Sequence, residues 1–104
     1  MDETIYMLNA LWFKKDGGRE KYMEYGAAVG PLLEAAGAEF KDWYSPEAAI
    51  VGEWDPDVFF VVRYPSQAAF EAMFQSPAYA KIMHLREEAL EKSLLIRCKA
   101  FDWT

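Results

Sequence analysis

The order in which strand-like and helix-like segments alternate restricts this chain more than any other feature. Ile5–Phe13, IYMLNALWF, is a short apolar run rich in β formers, and Lys14–Gly18 closes it as a turn. The period then changes. Within Arg19–Ala36, Tyr22, Gly26, Val29, Leu33 and Ala36 share one helical face, and Gly37 follows as a C-cap. Pro31 lies inside that segment and should kink or break it. Phe40–Tyr44 reads as a strand, Ser45-Pro46 as a turn, and Ala49–Trp54 as resumed extended structure. Asp55-Pro56-Asp57 is a strong turn signal. Val58–Tyr64, VFFVVRY, is the clearest strand of the chain. Ser66 caps a helix over Gln67–Gln75, and Ser76 with Pro77 opens another over Ser76–Lys92. Leu94–Phe101 is the final strand.

That order, β-α-β-β-α-β with the second helical region split in two, is the ferredoxin-like pattern. It predicts an α+β fold in which an antiparallel sheet carries helices on one face. A length of 104 residues suits a single domain, 1–104, and 53% hydrophobic residues suffice for a core. Alternation in the first strand separates Ile5, Met7, Asn9, Leu11 and Phe13 from Tyr6, Leu8, Ala10 and Trp12. The third strand divides into Phe59, Val61 and Arg63 against Val58, Phe60, Val62 and Tyr64. The last divides into Leu95, Arg97, Lys99 and Phe101 against Leu94, Ile96, Cys98 and Ala100. The more uniformly apolar sets are assigned to the helix layer. The opposite sets still carry Ile5, Met7, Leu11, Phe13, Phe59, Val61, Leu95 and Phe101, which is too apolar for a face left in water. A second sheet should cover it, and an identical chain is the simplest source, so a homodimer is expected.

The formal net charge is −6, and Lys and Arg are not clustered. That argues against nucleic acid and anionic membrane surfaces as partners. Cys98 is the lone cysteine and can form no intrachain disulfide. The acidic start Met1-Asp2-Glu3-Thr4 lacks the positive region of a secretion signal, and no apolar stretch approaches membrane-spanning length. These absences predict a cytoplasmic protein.

Arg86 is the residue most at odds with its surroundings. Helical spacing over Ser76–Lys92 places Tyr79, Ile82, Met83, Arg86, Ala89 and Leu90 on one stripe. A guanidinium there needs a partner or a polar cavity. Either Arg86 and Tyr79 line a pocket that holds an anionic or carbonyl group, or Arg86 pairs internally with a carboxylate such as Glu53 or Asp42. Asn9, Arg63 and Arg97 all fall on the proposed dimer-facing side. They form a polar cavity binding an acid, or else a polar network across the interface or charges exposed at strand ends. Trp12, Trp43, Trp54 and Trp103, with Tyr6, Tyr22, Tyr25 and Tyr44, either line an aromatic ligand pocket or pack core and interface. His84 shares its helix face with Lys81, Glu87, Glu88 and Glu91, a solvated face. Cys98, among Leu94, Ile96 and Ala100, reads as a buried inert thiol. One His and one Cys give neither haem nor zinc a ligand set, so no cofactor and no metal is expected.

Four blocks occur in order: Gly30-Pro31-Leu32-Leu33 with Gly37, Gly52-Glu53-Trp54-Asp55-Pro56, Tyr64-Pro65-Ser66, and Ser76-Pro77-Ala78-Tyr79 followed by Arg86. With them the chain resembles the DUF1330 family of the dimeric α/β-barrel superfamily, over about residues 5 to 101. The resemblance implies a ferredoxin-like protomer whose sheet faces that of a second copy. It implies no established activity. The family often has an acidic residue just before the aromatic-Pro-Ser block, where this chain has Arg63. The wider superfamily includes cofactor-free monooxygenases with an Asn on the first strand, a Trp before the helix break and a His on the last helix. Asn9 matches the first, Met73 stands at the second, and His84 lies one place past the third. The expected function is therefore a small-molecule pocket acting on a hydrophobic organic acid or aromatic carbonyl compound without a cofactor. The alternative is a non-catalytic ligand-binding or structural homodimer, and a monooxygenase is the remaining reading.

Overall fold

A computed structural model describes residues 3–40 and 42–104. Strand β1 is Ile5–Phe13, helix α1 Gly18–Ala35, strand β2 Val58–Tyr64, helix α2 Gln67–Phe74, helix α3 Pro77–Ala80, helix α4 Met83–Ala89 and strand β3 Leu90–Cys98. The sheet is antiparallel with order β2-β1-β3, and the helices lie on one side of it. The ferredoxin-like α+β fold is thus observed.

The segment Phe40–Tyr44 differs from its expectation. Lys41 lies outside the described residues, and what joins this region to β2 is two isolated bridges, Glu39 with Arg63 and Tyr44 with Phe59. Five steps of chain on one side face four on the other. The extra residue breaks the ladder, as a bulge does. Ala49–Trp54 forms no ladder and is exposed. The last helical region also ends early. Ile82, at φ −116°, separates α3 from α4, and Leu90 is already extended at φ −111°, ψ 130°. Strand β3 therefore starts four residues before the expected Leu94 and stops at Cys98. Phe101 and Trp103 lie beyond it, exposed.

Face assignment is corrected for two strands. Ile5 lies opposite Tyr64, Met7 opposite Val62, Asn9 opposite Phe60 and Leu11 opposite Val58, and all are buried. Directly opposed residues share a face, so Ile5, Met7, Asn9 and Leu11 turn toward the helices. In β3, Ser93, Leu95 and Arg97 share that side through Leu11, Asn9 and Met7. The outer face carries Tyr6, Leu8, Ala10 and Trp12 with Phe59, Val61 and Arg63 and with Leu94, Ile96 and Cys98. The expected grouping of Asn9, Arg63 and Arg97 on one face therefore fails, since Arg63 points outward and the other two inward. Cys98 is exposed rather than buried.

Helix α1 runs unbroken through Pro31. It ends in a Schellman motif. Gly37, at φ +76°, donates its N–H to Glu34 O at 3.0 Å, and the Ala38 N–H reaches Leu33 O at 3.0 Å. At its other end α1 presses against α4. A Cβ on Gly18 would stand 2.6 Å from the Ala89 carbonyl oxygen, which is backbone and has nowhere to go. Gly18→Ala should therefore lower stability by about 1–3 kcal/mol, the usual cost of overpacking. A urea midpoint unchanged from the parent would contradict this close approach. Among the described residues no helix is long and apolar enough to cross a membrane.

Candidate functional site

Between the inner sheet face and α1, α2 and α3 lies a cavity of about 290 Å³. Its existence traces to α1. Gly26 and Gly30 sit one turn apart on the lining, and a Cβ on either would meet nothing within 4 Å. Two missing side chains on one stripe leave the space between helix and sheet unfilled. The walls are Tyr22, Tyr25, Val29 and Leu33 of α1, Phe60, Val62 and Tyr64 of β2, and Phe70, Met73 and Phe74 of α2. Phe40 and Trp43, both partly exposed, close one side. Trp43 stacks on Phe60 with centroids 4.0 Å apart and planes at 11°.

One region of this aromatic space is polar. Asn9 rises from the middle of the sheet between Phe60 and Leu95, and its Nδ2 donates to Met7 O at 3.2 Å. The hydroxyls of Tyr25 and Tyr79 are 2.9 Å apart. Arg86 lines the same cavity. Its Nη1 donates to Ser93 Oγ at 3.4 Å, a long bond, while Nη2 is buried with no protein partner among the described residues. Burial pushes the Tyr22 phenol up to about 12, and the Arg86 guanidinium opposes part of that rise. Burial also raises Tyr25, reinforced by its hydrogen bond to Tyr79, and pushes Tyr64 up to about 12. At neutral pH these three phenols are uncharged and retain their hydrogens.

Of the residues singled out in the sequence, Asn9, Tyr79 and Arg86 come together at this cavity, with Tyr22, Tyr25 and Trp43 of the aromatic set. Arg63, Arg97 and Trp54 do not. Arg63 pairs with Glu39 on the outer face. Arg97 has the inward parity but lies near the open end of β3, exposed, with Nη1 on Gln67 Oε1 at 2.9 Å. Trp54 packs on Phe59 with centroids 5.2 Å apart, away from the cavity. The expected carboxylate partners of Arg86, Glu53 and Asp42, make no ion pair with it among the described residues. Met73 joins Asn9 at the cavity, but His84 is exposed on α4 and absent from the lining, so the oxygenase-like trio is not assembled. Phe60, Phe70, Phe74 and Leu95 were not singled out. Gly26 and Gly30, four apart on the inward face of α1, are the sequence signal for the space itself.

Because no carboxylate depends on Arg86, Arg86→Met should leave stability within about 1 kcal/mol of the parent or raise it, since an unsatisfied buried polar group is removed. Chemical denaturation reads this directly. A loss on the order of 3 kcal/mol would mean that Arg86 neutralises a buried carboxylate after all.

Comparison with known proteins places this geometry in a family. A protein of unknown function from Rhodopseudomonas palustris is 31% identical, with a TM-score of 0.87 over 98% of this chain and 85% of that one. A dimeric ferredoxin-like protein of unknown function from Jannaschia sp. CCS1 is 14% identical, with a TM-score of 0.70 over 93% of this chain and 99% of that one. A hydroxynitrile lyase from Passiflora edulis is 18% identical, with a TM-score of 0.74 over 100% of this chain and 98% of that one. The last two likenesses show the fold alone. No functionally curated protein matches the sequence. The model of the family described as a domain of unknown function, DUF1330, matches residues 6–98, and the chain belongs to that family.

Proposed function

We propose that this chain binds a hydrophobic organic acid or aromatic carbonyl compound in the cavity between sheet and helices, and that it works as a homodimer. The carrying observation is the cavity itself: an aromatic chamber of about 290 Å³ with Asn9, Tyr25, Tyr79 and Arg86 on its lining. Apolar walls with a few polar groups are the usual makeup of small-molecule sites, and this one is at the small end of their range. The dimer reading draws on the outer sheet face. The chain is a slab 42 × 41 × 19 Å, with one helix layer on one sheet. Val61 and Ile96 remain exposed on the side away from the helices, with Leu8, Phe59 and Leu94 half-buried beside them. Proteins of the same fold, such as that of Jannaschia, are described as dimeric.

A second reading, catalysis without a cofactor, draws on Glu34. It is the one carboxylate on the described cavity lining and the candidate for a proton acceptor. The fold carries catalysis in the Passiflora enzyme. The test is to titrate aromatic acids and aldehydes against the protein while following tryptophan fluorescence and, by NMR, the chemical fate of each compound. Saturable binding that disappears in Gly26→Leu, which fills the cavity from α1, supports the pocket. Conversion that stops in Glu34→Gln supports the enzyme. Undiminished binding in Gly26→Leu would place the site elsewhere.

A further inference from the structure

We propose that the polar region of the cavity is a carboxylate seat: the ligand is a hydrophobic monocarboxylate whose anionic oxygens are held by Arg86 Nη2 and a phenolic O–H of the Tyr25–Tyr79 pair. This deepens the pocket reading and rests on it.

The inference starts from a count of hydrogens. A guanidinium carries only donors and keeps its charge at any relevant pH. Arg86 Nη1 reaches Ser93 Oγ at 3.4 Å, and Nη2 is buried with its hydrogens unclaimed among the described residues. The Tyr25 and Tyr79 hydroxyls share one hydrogen bond at 2.9 Å. Two hydroxyls with one bond between them leave one O–H hydrogen to give away. Asn9 Nδ2 spends one hydrogen on Met7 O and has a second. The Tyr22 phenol beside Arg86 can accept one guanidinium hydrogen but adds an O–H of its own, so the surplus on this lining is donors.

Charge points the same way. Arg86 is half-buried with its Nη2 fully buried, and a charge drawn out of water calls for a compensating anion. The described lining offers only Glu34, which is exposed. Glu34 lies twelve residues along α1 from Tyr22, the phenol beside Arg86, so the two are about 18 Å apart at 1.5 Å per residue. At that distance it does not pair with Arg86; Glu87 and Glu91, which border Arg86 on its outer side, form no ion pair with it among the described residues, so on the cavity side the negative charge is left to the ligand. A planar carboxylate is the group that a guanidinium edge and a neighbouring hydroxyl fit best. The remaining wall is aromatic and aliphatic, and Glu34 at the far end repels a second anion. One carboxylate on an apolar body satisfies both ends.

The test uses benzoate, cinnamate, 4-phenylbutanoate and 2-naphthoate, each paired with its uncharged carboxamide, measured by calorimetry on the intact protein. At least one acid should bind tenfold or more tightly than its amide. In Arg86→Met the acid should weaken to the level of the amide while amide binding persists, which shows that the variant is folded and its cavity open. Arg86→Lys should recover part of the preference, because it restores the charge without the fork. Acids and amides binding equally would overturn the carboxylate seat and leave the pocket reading standing. An acid preference that survives Arg86→Met would place the seat on other residues and also overturn it. Absence of binding across all eight compounds would overturn the pocket reading together with the seat.

Discussion

Val61→Glu should convert a dimer into monomers. Val61 lies on the outer sheet face, directly opposite Leu8, which is in turn opposite Ile96. It is 44% exposed in the single chain, so the substitution disturbs little within the protomer. In a symmetric sheet-to-sheet dimer the same residue enters from both sides. Each copy would then bring a carboxylate into an apolar interface, at several kcal/mol for each charge buried unpaired. Sedimentation velocity at micromolar concentration should show the parent as a dimer and Val61→Glu as a monomer. Thermal stability should fall with it and lose its concentration dependence, because association and folding are linked by mass action. Met23→Glu is the control. Met23 is 67% exposed on α1, and the change should leave the dimer intact. A parent protein that sediments as a monomer would remove the basis of the prediction.

Apart from Phe40–Tyr44, which makes only isolated bridges, element order was legible because Pro and Ser punctuate it. Asp55-Pro56-Asp57 precedes β2, Ser66 accepts the Ala69 N–H at the start of α2, and Ser76 does the same for the Tyr79 N–H at α3. Such signals are local and survive any packing. The faces of β1 were not legible. Both of its alternating sets are largely apolar, so hydrophobicity supplies no phase, and a one-residue shift exchanges the sets. Register with β2 decides the matter, and β1 and β2 are joined by α1 and a long irregular segment rather than by a turn that would fix it. Only β2 was placed correctly. There the outward set contains Arg63 and the inward set, Val58, Phe60, Val62 and Tyr64, has no charge.

The candidate site was legible to the same extent and for the same reason. Arg86 and Tyr79 announced themselves as a charge and a phenol on an apolar helical stripe, and both reach the cavity. The stripe is shorter than its sequence pattern, because the chain bends at Ile82 and turns extended at Leu90. Met83 is accordingly 39% exposed. Asn9 was recognised but assigned to the wrong side of the sheet. Its correct side puts it with Arg86, in the cavity between sheet and helices of one protomer. Arg97 shares the parity of Leu95 but sits farther along β3, exposed beside Gln67 at the start of α2. Parity along a strand can be read from sequence, and cover by another layer cannot.

Alkali should unfold the protein over a narrow range, because buried phenols resist ionisation. Tyr22 and Tyr64 are pushed up to about 12 from an ordinary 10.0 by burial, and Tyr25 is raised by burial and by its bond to Tyr79. A group whose folded pKa lies above its unfolded value contributes stability that is fully present below the unfolded value. That contribution is lost as pH climbs toward the folded value. From about pH 10 to 12 the unfolded chain releases these protons while the folded chain keeps them. Stability then falls by about 1.4 kcal/mol per pH unit for each such tyrosine. Tyr22 alone costs on the order of 2 kcal/mol across the window, and Tyr25 adds in the same direction. Against a typical total of 5–15 kcal/mol this is a large share. The urea midpoint should be flat between pH 7 and 9 and drop steeply above 10. The exposed Lys21–Glu88 pair also weakens in alkali, but such pairs contribute little. Tyr22→Phe and Tyr25→Phe should each flatten the slope. Tyr25→Phe should start about 1 kcal/mol lower, since it leaves the Tyr79 hydroxyl without its partner. Arg86→Met should steepen the slope, because the cation that favours Tyr22 ionisation is gone. An unchanged slope in all three variants would show that the alkaline loss arises from groups other than the phenols around this cavity.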